Sequence, residues 1–345
     1  MKSPSWISRC GTSDPILAGR VRLARNFPGI PFRGTISPQE GRRLCERVLD
    51  SVRGLHPAFV PLADETSEDA GELVERMRIP GNLIDPSDPG PWLALEDAGR
   101  GLLVLDGDHL RLWSTRPGSS LFEALDEASH LESALRDRMQ LVRDPTWGWR
   151  TASPGDVGSG MRASLLLHLP ALWITGRMLG VVDAMDTLEH PLRGPWGPVA
   201  EEDGGLVVVT HTRTLGCREV EIIETLARIA AKLVREEEKA VQALLQHWDP
   251  QMQDAVGRSV AILGSARLLS RRELSSRLRW ISLGARLGWI PLLMASTAMD
   301  IFLATGPRRL RRLVGNAASE FDSNLDDWRA QEAVRMFREL EPSSP

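Results

Sequence analysis

Arginine recurs in short segments of otherwise strand-like or loop-like sequence, and the places where it falls suggest an anion site. In GRVRLARN, Arg20 and Arg22 stand two apart. On an extended backbone both leave the same face, which suits them to gripping successive phosphate groups. Arg111 follows in LDGDHLRLW. Arg162 comes after the small and flexible residues of SPGDVGSGMRAS, where the backbone can approach a ligand closely. Arg193 lies in HPLRGPWGPVAEEDGG, a Pro/Gly-rich loop ending in the acidic run Glu201, Glu202 and Asp203, and long loops of this kind often cover substrates. The segments match neither the lysine-bearing phosphate loop nor the glycine fingerprint of dinucleotide sites. Taken singly, each arginine reads equally well as a solvated surface residue, and the acidic run as a solvated turn. Only clustering in space separates the two readings.

Capping and periodicity identify the elements that must position these residues. Ser37 stands as an N-cap with Pro38 at the first helical position and Glu40 at the capping-box position, so a helix is expected from Pro38. Residues 1–85 read as a small, mainly helical N-terminal domain, the Pro/Asp/Gly-dense stretch Asn82–Pro91 as a linker, and residues 86–345 as a larger domain. PWLALED and GLLVLDGDHLRLWST alternate as strands. The second divides at Asp106-Gly107-Asp108 into a hairpin, which implies antiparallel sheet. Residues from about 120 to 140 read as helix, and GGLVVVTHTRT as a buried strand. Ile222, Leu226, Ile229 and Leu233 then recur at helical spacing and are expected in the core, and the last third is mainly helical. The fold class is α+β: a small helical N-terminal domain and an antiparallel sheet flanked by helices.

At 345 residues the chain exceeds the usual size of one domain. An apolar fraction of 42% with 26% charged residues belongs to an ordinary globular protein, which sets aside disordered and membrane-embedded classes. A net charge of −4 supplies no overall field for nucleic acid. Cys10, Cys45 and Cys217 lack metal-ligand spacing, so no metal site is expected from the side chains, and a reducing compartment fits. The N-terminus carries no apolar run of the signal-peptide kind, and no stretch reaches the roughly 20 apolar residues that cross a bilayer. A cytoplasmic protein with no membrane partner is expected.

The order of the motifs is itself specific. GRVRLARNFPGIPF, then DHLR, then DVGSGMRASLLLHLPAL, then RGxxG with a downstream Glu, then TRTLGCREVEIIETL and GRSVAILGSARLLSRRE, resembles the ATP:guanido phosphotransferases over nearly the whole chain. This is the family of creatine and arginine kinases, and the chain is most similar to its bacterial protein-arginine kinase branch. The resemblance implies the catalytic fold of that family, with ATP in a cleft and Mg²⁺ bridging its phosphates. It implies that Arg20, Arg22, Arg111 and Arg162 hold the phosphates and that Arg193 closes the site. As partners it implies ATP and ADP, a protein substrate bearing arginine side chains, and a homodimer.

A guanidinium is protonated at neutral pH and its lone pairs are delocalised, so carboxylates must hold it and take a proton. By the resemblance one of them is Glu201. The other falls at Gly107, within Leu105-Asp106-Gly107-Asp108-His109. Asp106 and Asp108 are the candidates to replace it, although alternation along a strand turns both away from the face of residue 107 unless a bulge or tight turn intervenes. Ser153 and Asp156 stand where the family pattern has cysteine and asparagine, and Asp156 brings negative charge toward a polyanion. The C-terminal phosphoarginine-recognition motif of the branch reads Asp326-Asp327-Trp328-Arg329-Ala330-Gln331 and is disrupted. His109 and His168 read as satisfied structural histidines. Trp196, beside Arg193, is the tryptophan placed to cover a substrate. Two functions stay open: phosphoryl transfer from ATP to guanidino groups, chiefly arginine side chains of proteins, or a catalytically impaired pseudokinase that binds ATP and regulates a partner.

Overall fold

The computed structural model describes residues 4–53, 60–61, 74–75, 77, 93–97, 99–314 and 323–339. The linker expected at Asn82–Pro91, and with it the domain boundary near residue 85, lies outside them. Strand β1 (Ile16–Arg25) is followed by helix α1 (Pro38–Arg53) and the strands β2 (Val60–Pro61), β3 (Leu93–Asp97), β4 (Arg100–Asp106) and β5 (Asp108–Pro117). Helix α2 (Leu121–Arg136), the short hairpin β6 (Arg143–Asp144) and β7 (Gly148–Trp149), and strand β8 (Met161–His168) come next. Helices α3 (Pro170–Ile174) and α4 (Met178–Thr187) precede β9 (Leu192–Arg193) and β10 (Leu206–Thr210). The chain then becomes helical: α5 (Glu219–Ser265), α6 (Arg271–Arg286), α7 (Leu292–Ala304), α8 (Pro307–Val314) and α9 (Ser323–Arg338).

The main sheet is antiparallel in the order β2-β3-β4-β5-β1-β8-β10-β9. Strand β1 is therefore interior, paired with β5 on one side and β8 on the other. This corrects the reading of residues 1–85 as a separate helical unit: Ile16–Arg25 belongs to the sheet, and α1 carries the helical character. Sheet pairing is long-range, so a strand's partners are not visible in its own sequence.

Local expectations fare well where the signal is local. Ser37 and Glu40 form the capping box, with the Glu40 amide donating to Ser37 Oγ at 3.3 Å and the Ser37 amide donating to Glu40 Oε2 at 3.2 Å. The hairpin turns at Gly107, pairing Asp106 with Asp108. Ile222, Leu226, Ile229 and Leu233 are buried against the sheet, but α5 runs on through Pro250, which forgoes a helical hydrogen bond without ending the helix. His168 Nε2 donates to the Gly204 carbonyl at 2.9 Å, and burial pushes the ring down to about 4. Arg329 is buried and donates to the carbonyls of Leu269 and Thr305, so it ties α9 to the helices before it. No helix among the described residues is long and apolar enough to cross a membrane.

The two faces of the sheet differ in kind. Val21 and Leu23 of β1, Leu110 and Leu112 of β5, Ala163, Leu165 and Leu167 of β8, and Val207 and Val209 of β10 turn to one face. There they pack with α1, α2 and α5. By strand alternation the intervening residues turn to the other face, which collects the polar chemistry. On that face Gly101 pairs with Trp113, whose buried indole fills the space a side chain at 101 would need. Gly101→Ala should therefore displace the ring and cost about 1–3 kcal/mol by overpacking. Chemical denaturation would register it as a lower midpoint at unchanged slope.

Candidate functional site

Register assembles the arginines. Arg22 of β1 pairs with Arg162 of β8 on one side and with Trp113 of β5 on the other. Arg20 lies between Thr115 and Ser164, Arg111 pairs with Ala24, and Arg193 pairs with Val208. Side chains of paired residues share a face, so Arg20, Arg22, Arg111, Arg162 and Arg193 all project from the face opposite the helix-covered core. The clustering that separates a site from scattered surface charge is thus present.

Two adjoining cavities open on this face. The larger, about 520 Å³, is lined by Arg20, Arg22 and Arg193 together with apolar groups that include Trp6, Met77, Leu166 and Trp196. It has the size and mixed lining of a small-molecule pocket. The smaller, about 150 Å³, is lined by Arg22, Ala24, Arg111, Ser153, Asp156 and Arg162. Arg22 belongs to both. Burial foremost, then the charges of Arg111, Arg20 and Arg162, push its guanidinium down to about 9, while Asp156 opposes the shift. It stays charged at neutral pH.

Arg20 is fixed by Thr115 Oγ1, which accepts from Nε at 2.8 Å, and by the Met77 carbonyl, which accepts from Nη2 at 2.8 Å. Arg111 Nη1 lies 2.5 Å from Asp106 Oδ2 and its Nη2 lies 3.8 Å from Asp108 Oδ2. Arg162 Nε donates to Asp156 Oδ1. The Arg193 loop is seated by Trp196, whose Nε1 donates to the Val74 carbonyl at 3.1 Å. The indole also rests against Phe302 and against Arg271, which lies 3.4 Å over the Phe302 ring.

The hairpin places the two aspartates differently. Leu105 has φ +63° and Gly107 φ +80°. The left-handed step at Leu105 breaks alternation: Leu105 enters the core with Val104, and Asp106 emerges beside Arg111. Arg33 Nη1, donating to the Leu105 carbonyl at 2.8 Å, holds that step. Burial raises the Asp106 carboxyl to about 6 against the opposing pull of Arg111. Asp108 is a different case. Its Oδ1 accepts from Asn26 Nδ2 at 2.8 Å and from the Ala152 amide at 2.7 Å, and it is 1% exposed. Asp108, expected with Asp106 as a candidate for the missing carboxylate, is thus engaged through Oδ1 and anchors the 150–156 loop. His109 is likewise structural, its Nδ1 accepting from the Phe27 amide and its Nε2 donating to the Pro31 carbonyl.

Glu201 is held by residues of α6. Arg272 Nη2 lies 2.6 Å from its Oε2 and Arg279 Nη2 3.4 Å from its Oε1, while Arg279 and Ser275 also donate to its backbone carbonyl. Asn26, Arg33, Arg272 and Arg279 are the positioning residues that sequence reasoning missed. Asn26 lay within the RVRLARN motif and Arg272 within GRSVAILGSARLLSRRE, whereas no signal marked Arg33 or Arg279. Among the described residues no group of three or more His, Cys, Asp or Glu could hold a metal ion.

A sequence profile of the ATP:guanido phosphotransferase C-terminal catalytic domain matches residues 44–240, more than half of the chain. The chain is 31% identical over 333 residues to the protein-arginine kinase of Symbiobacterium thermophilum, covering 93% of each. It is 30% identical over 319 residues to that of Bacillus subtilis, covering 91% of this chain and 88% of the relative. Among solved structures, the duplicated taurocyamine kinase of Schistosoma mansoni with bound transition-state-analogue components superposes with a TM-score of 0.56 at 23% identity. The match covers 69% of this chain and 36% of that one. Lombricine kinase superposes at 0.55 with 18% identity, covering 70% and 72%. These two support the fold.

The raised Asp106 pKa sets a pH signature. Unfolded, the group ionises near its ordinary value of 3.8; folded, near 6. The folded state binds the extra proton between those values, so this residue's contribution to stability is present below about pH 4 and lost as pH rises through about 6. Asp106→Asn lacks that loss. Its stability relative to wild type should rise by about 1–3 kcal/mol between pH 4 and 6 and then level off, as denaturant titrations at stepped pH would record.

Proposed function

Because the chain belongs to the ATP:guanido phosphotransferase family, we propose that it phosphorylates arginine side chains of proteins, drawing the γ-phosphoryl group from ATP. The observation that carries the reading is the row of five arginines, Arg20, Arg22, Arg111, Arg162 and Arg193, on one sheet face beside a cavity with an apolar end. In this reading the base lies against Met77, Leu166 and Trp196, and the phosphates run along the arginines toward the smaller chamber. Magnesium would arrive with the nucleotide as part of the substrate.

Phosphoryl transfer asks for charge neutralisation, in-line positioning and exclusion of water more than for covalent help from the protein. A guanidinium nitrogen of the acceptor forms the new N–P bond, the bond from the γ-phosphorus to the ADP oxygen breaks, and the nitrogen gives up one proton to a carboxylate. Asp106 lies against Arg111, a residue that lines the smaller chamber, and with its carboxyl near 6 is the candidate for that exchange, since general-base pKa values near the working pH serve best. Glu201 follows Arg193 on the same loop and would assist once released from Arg272. The Trp196 contacts support a loop that closes over the nucleotide.

The test is ATP-dependent formation of acid-labile phosphoarginine on an arginine-bearing protein, read by mass spectrometry at neutral pH. Wild type should give the product, and Arg162→Ala should reduce the rate by about 10²-fold or more. Gly107→Glu is sterically open, since no atom lies within 4 Å of the place its Cβ would take, although the φ of +80° strains a side chain. Tight ATP binding without turnover in both wild type and Gly107→Glu would overturn the transferase reading in favour of a nucleotide-binding pseudokinase.

A further inference from the structure

The three aspartates near the arginine row differ in what holds them. Asp108 is committed to Asn26 and the Ala152 amide. Asp106 lies against Arg111 on the hairpin. Asp156, at the end of the short turn Pro154–Asp156, lines the smaller chamber, and among the described residues its one side-chain hydrogen-bond partner is Arg162. Among the described residues no backbone amide caps its carboxylate. The pair is buried unequally, with 10% of the Asp156 side chain and 35% of the Arg162 side chain exposed. The carboxylate is therefore the fixed, desolvated member and the guanidinium the member with room to move.

Resting on the transferase reading, we propose that Asp156 is the carboxylate that binds the acceptor's guanidinium, and that Arg162 occupies this place until nucleotide phosphates draw it away. The contact already present is a carboxylate holding a guanidinium, which is the recognition chemistry an arginine acceptor needs. Arg162 faces two anions in turn, one carboxylate and a polyphosphate of greater charge. When phosphates take Arg162, Asp156 is left as a buried carboxylate without its cation, a costly state that an incoming guanidinium relieves. The chamber suits that guest. Its 150 Å³ equals about five water molecules, ample for the four heavy atoms of a guanidinium and too small for a nucleotide. Without Asp156, an acceptor would meet Arg22, Arg111 and Arg162 across the same space with no carboxylate among the lining residues. Bound nucleotide thus prepares the acceptor site, and the two ligands bind with positive coupling.

The experiment is calorimetric titration of an arginine-containing peptide into the full chain, with and without Mg²⁺ and a non-hydrolysable ATP analogue. Wild type should bind the peptide about tenfold tighter when the analogue is present, a typical coupling between sites. Asp156→Asn should lose that gain while binding the analogue as tightly as wild type or tighter, and Asp156→Glu should keep it. Equal peptide affinity in wild type and Asp156→Asn with the analogue bound would overturn the proposal. So would weakened analogue binding in Asp156→Asn, which would make Asp156 a positioning residue for Arg162. Absence of coupling in wild type overturns it even if the variant does not fold. The readout needs no turnover. Peptide binding through Asp156 in a protein that transfers nothing would refute the transferase reading alone, and transfer with unaltered binding in Asp156→Asn would refute this inference alone.

Discussion

Like charges packed at neighbouring positions of one sheet face are the constraint around which the rest of this molecule is arranged. The pairing of Arg22 with Arg162 across β1 and β8, with Arg111 near at hand on β5, places cations where Coulomb repulsion opposes folding. The sheet tolerates this for two reasons. Its opposite face buries a continuous aliphatic layer against α1, α2 and α5, and its cationic face carries carboxylates at measured intervals. Asp106 balances Arg111 and Asp156 balances Arg162. On the transferase reading proposed above, a bound polyphosphate would do the same job with more charge, and the two aspartates are its internal stand-ins.

The stand-ins depend on departures from regular strand geometry. Had β4 kept its alternation to the turn, Asp106 would face the aliphatic core and Leu105 the arginines. The left-handed residue at 105 reverses both, and Arg33 secures it from a separate loop. Strain of this sort costs on the order of 1–3 kcal/mol and persists where surrounding contacts over-determine it, which is a recurrent property of functional sites. Asp108 illustrates the opposite outcome. Two residues away from Asp106, it is drawn into the interior and organises the backbone that carries Ser153 and Asp156.

Nearby, the segment between β9 and β10 couples the site to the helical C-terminal part. Trp196 reaches Val74, Phe302 and Arg271, while Glu201 reaches Arg272 and Arg279 on α6. The position of the Arg193 loop is thereby tied to contacts made by α6 and α7. The pair of Glu201 with Arg272 adds little to that tie, since Arg272 is largely exposed and solvent-exposed ion pairs contribute little.

Arginine spacing, the capping box at Ser37, the hairpin at Gly107 and the aliphatic repeat of α5 were legible because each depends on residues within one or two turns of chain. The shared face of Arg20 and Arg22 follows from strand period alone, and the order of motifs was specific enough to identify the family. What the sequence could not determine was every feature set by partners far along the chain. The interior place of β1 rests on pairing with residues about ninety and one hundred and forty positions away. The opposite fates of Asp106 and Asp108 rest on Arg111, Asn26, Ala152 and the backbone sign at Leu105. Residue types and local period decided which charges this chain possesses and which side of a strand they leave from. Tertiary packing decided which of them are neutralised, because desolvation and ion pairing are properties of surroundings that the folded chain alone brings together.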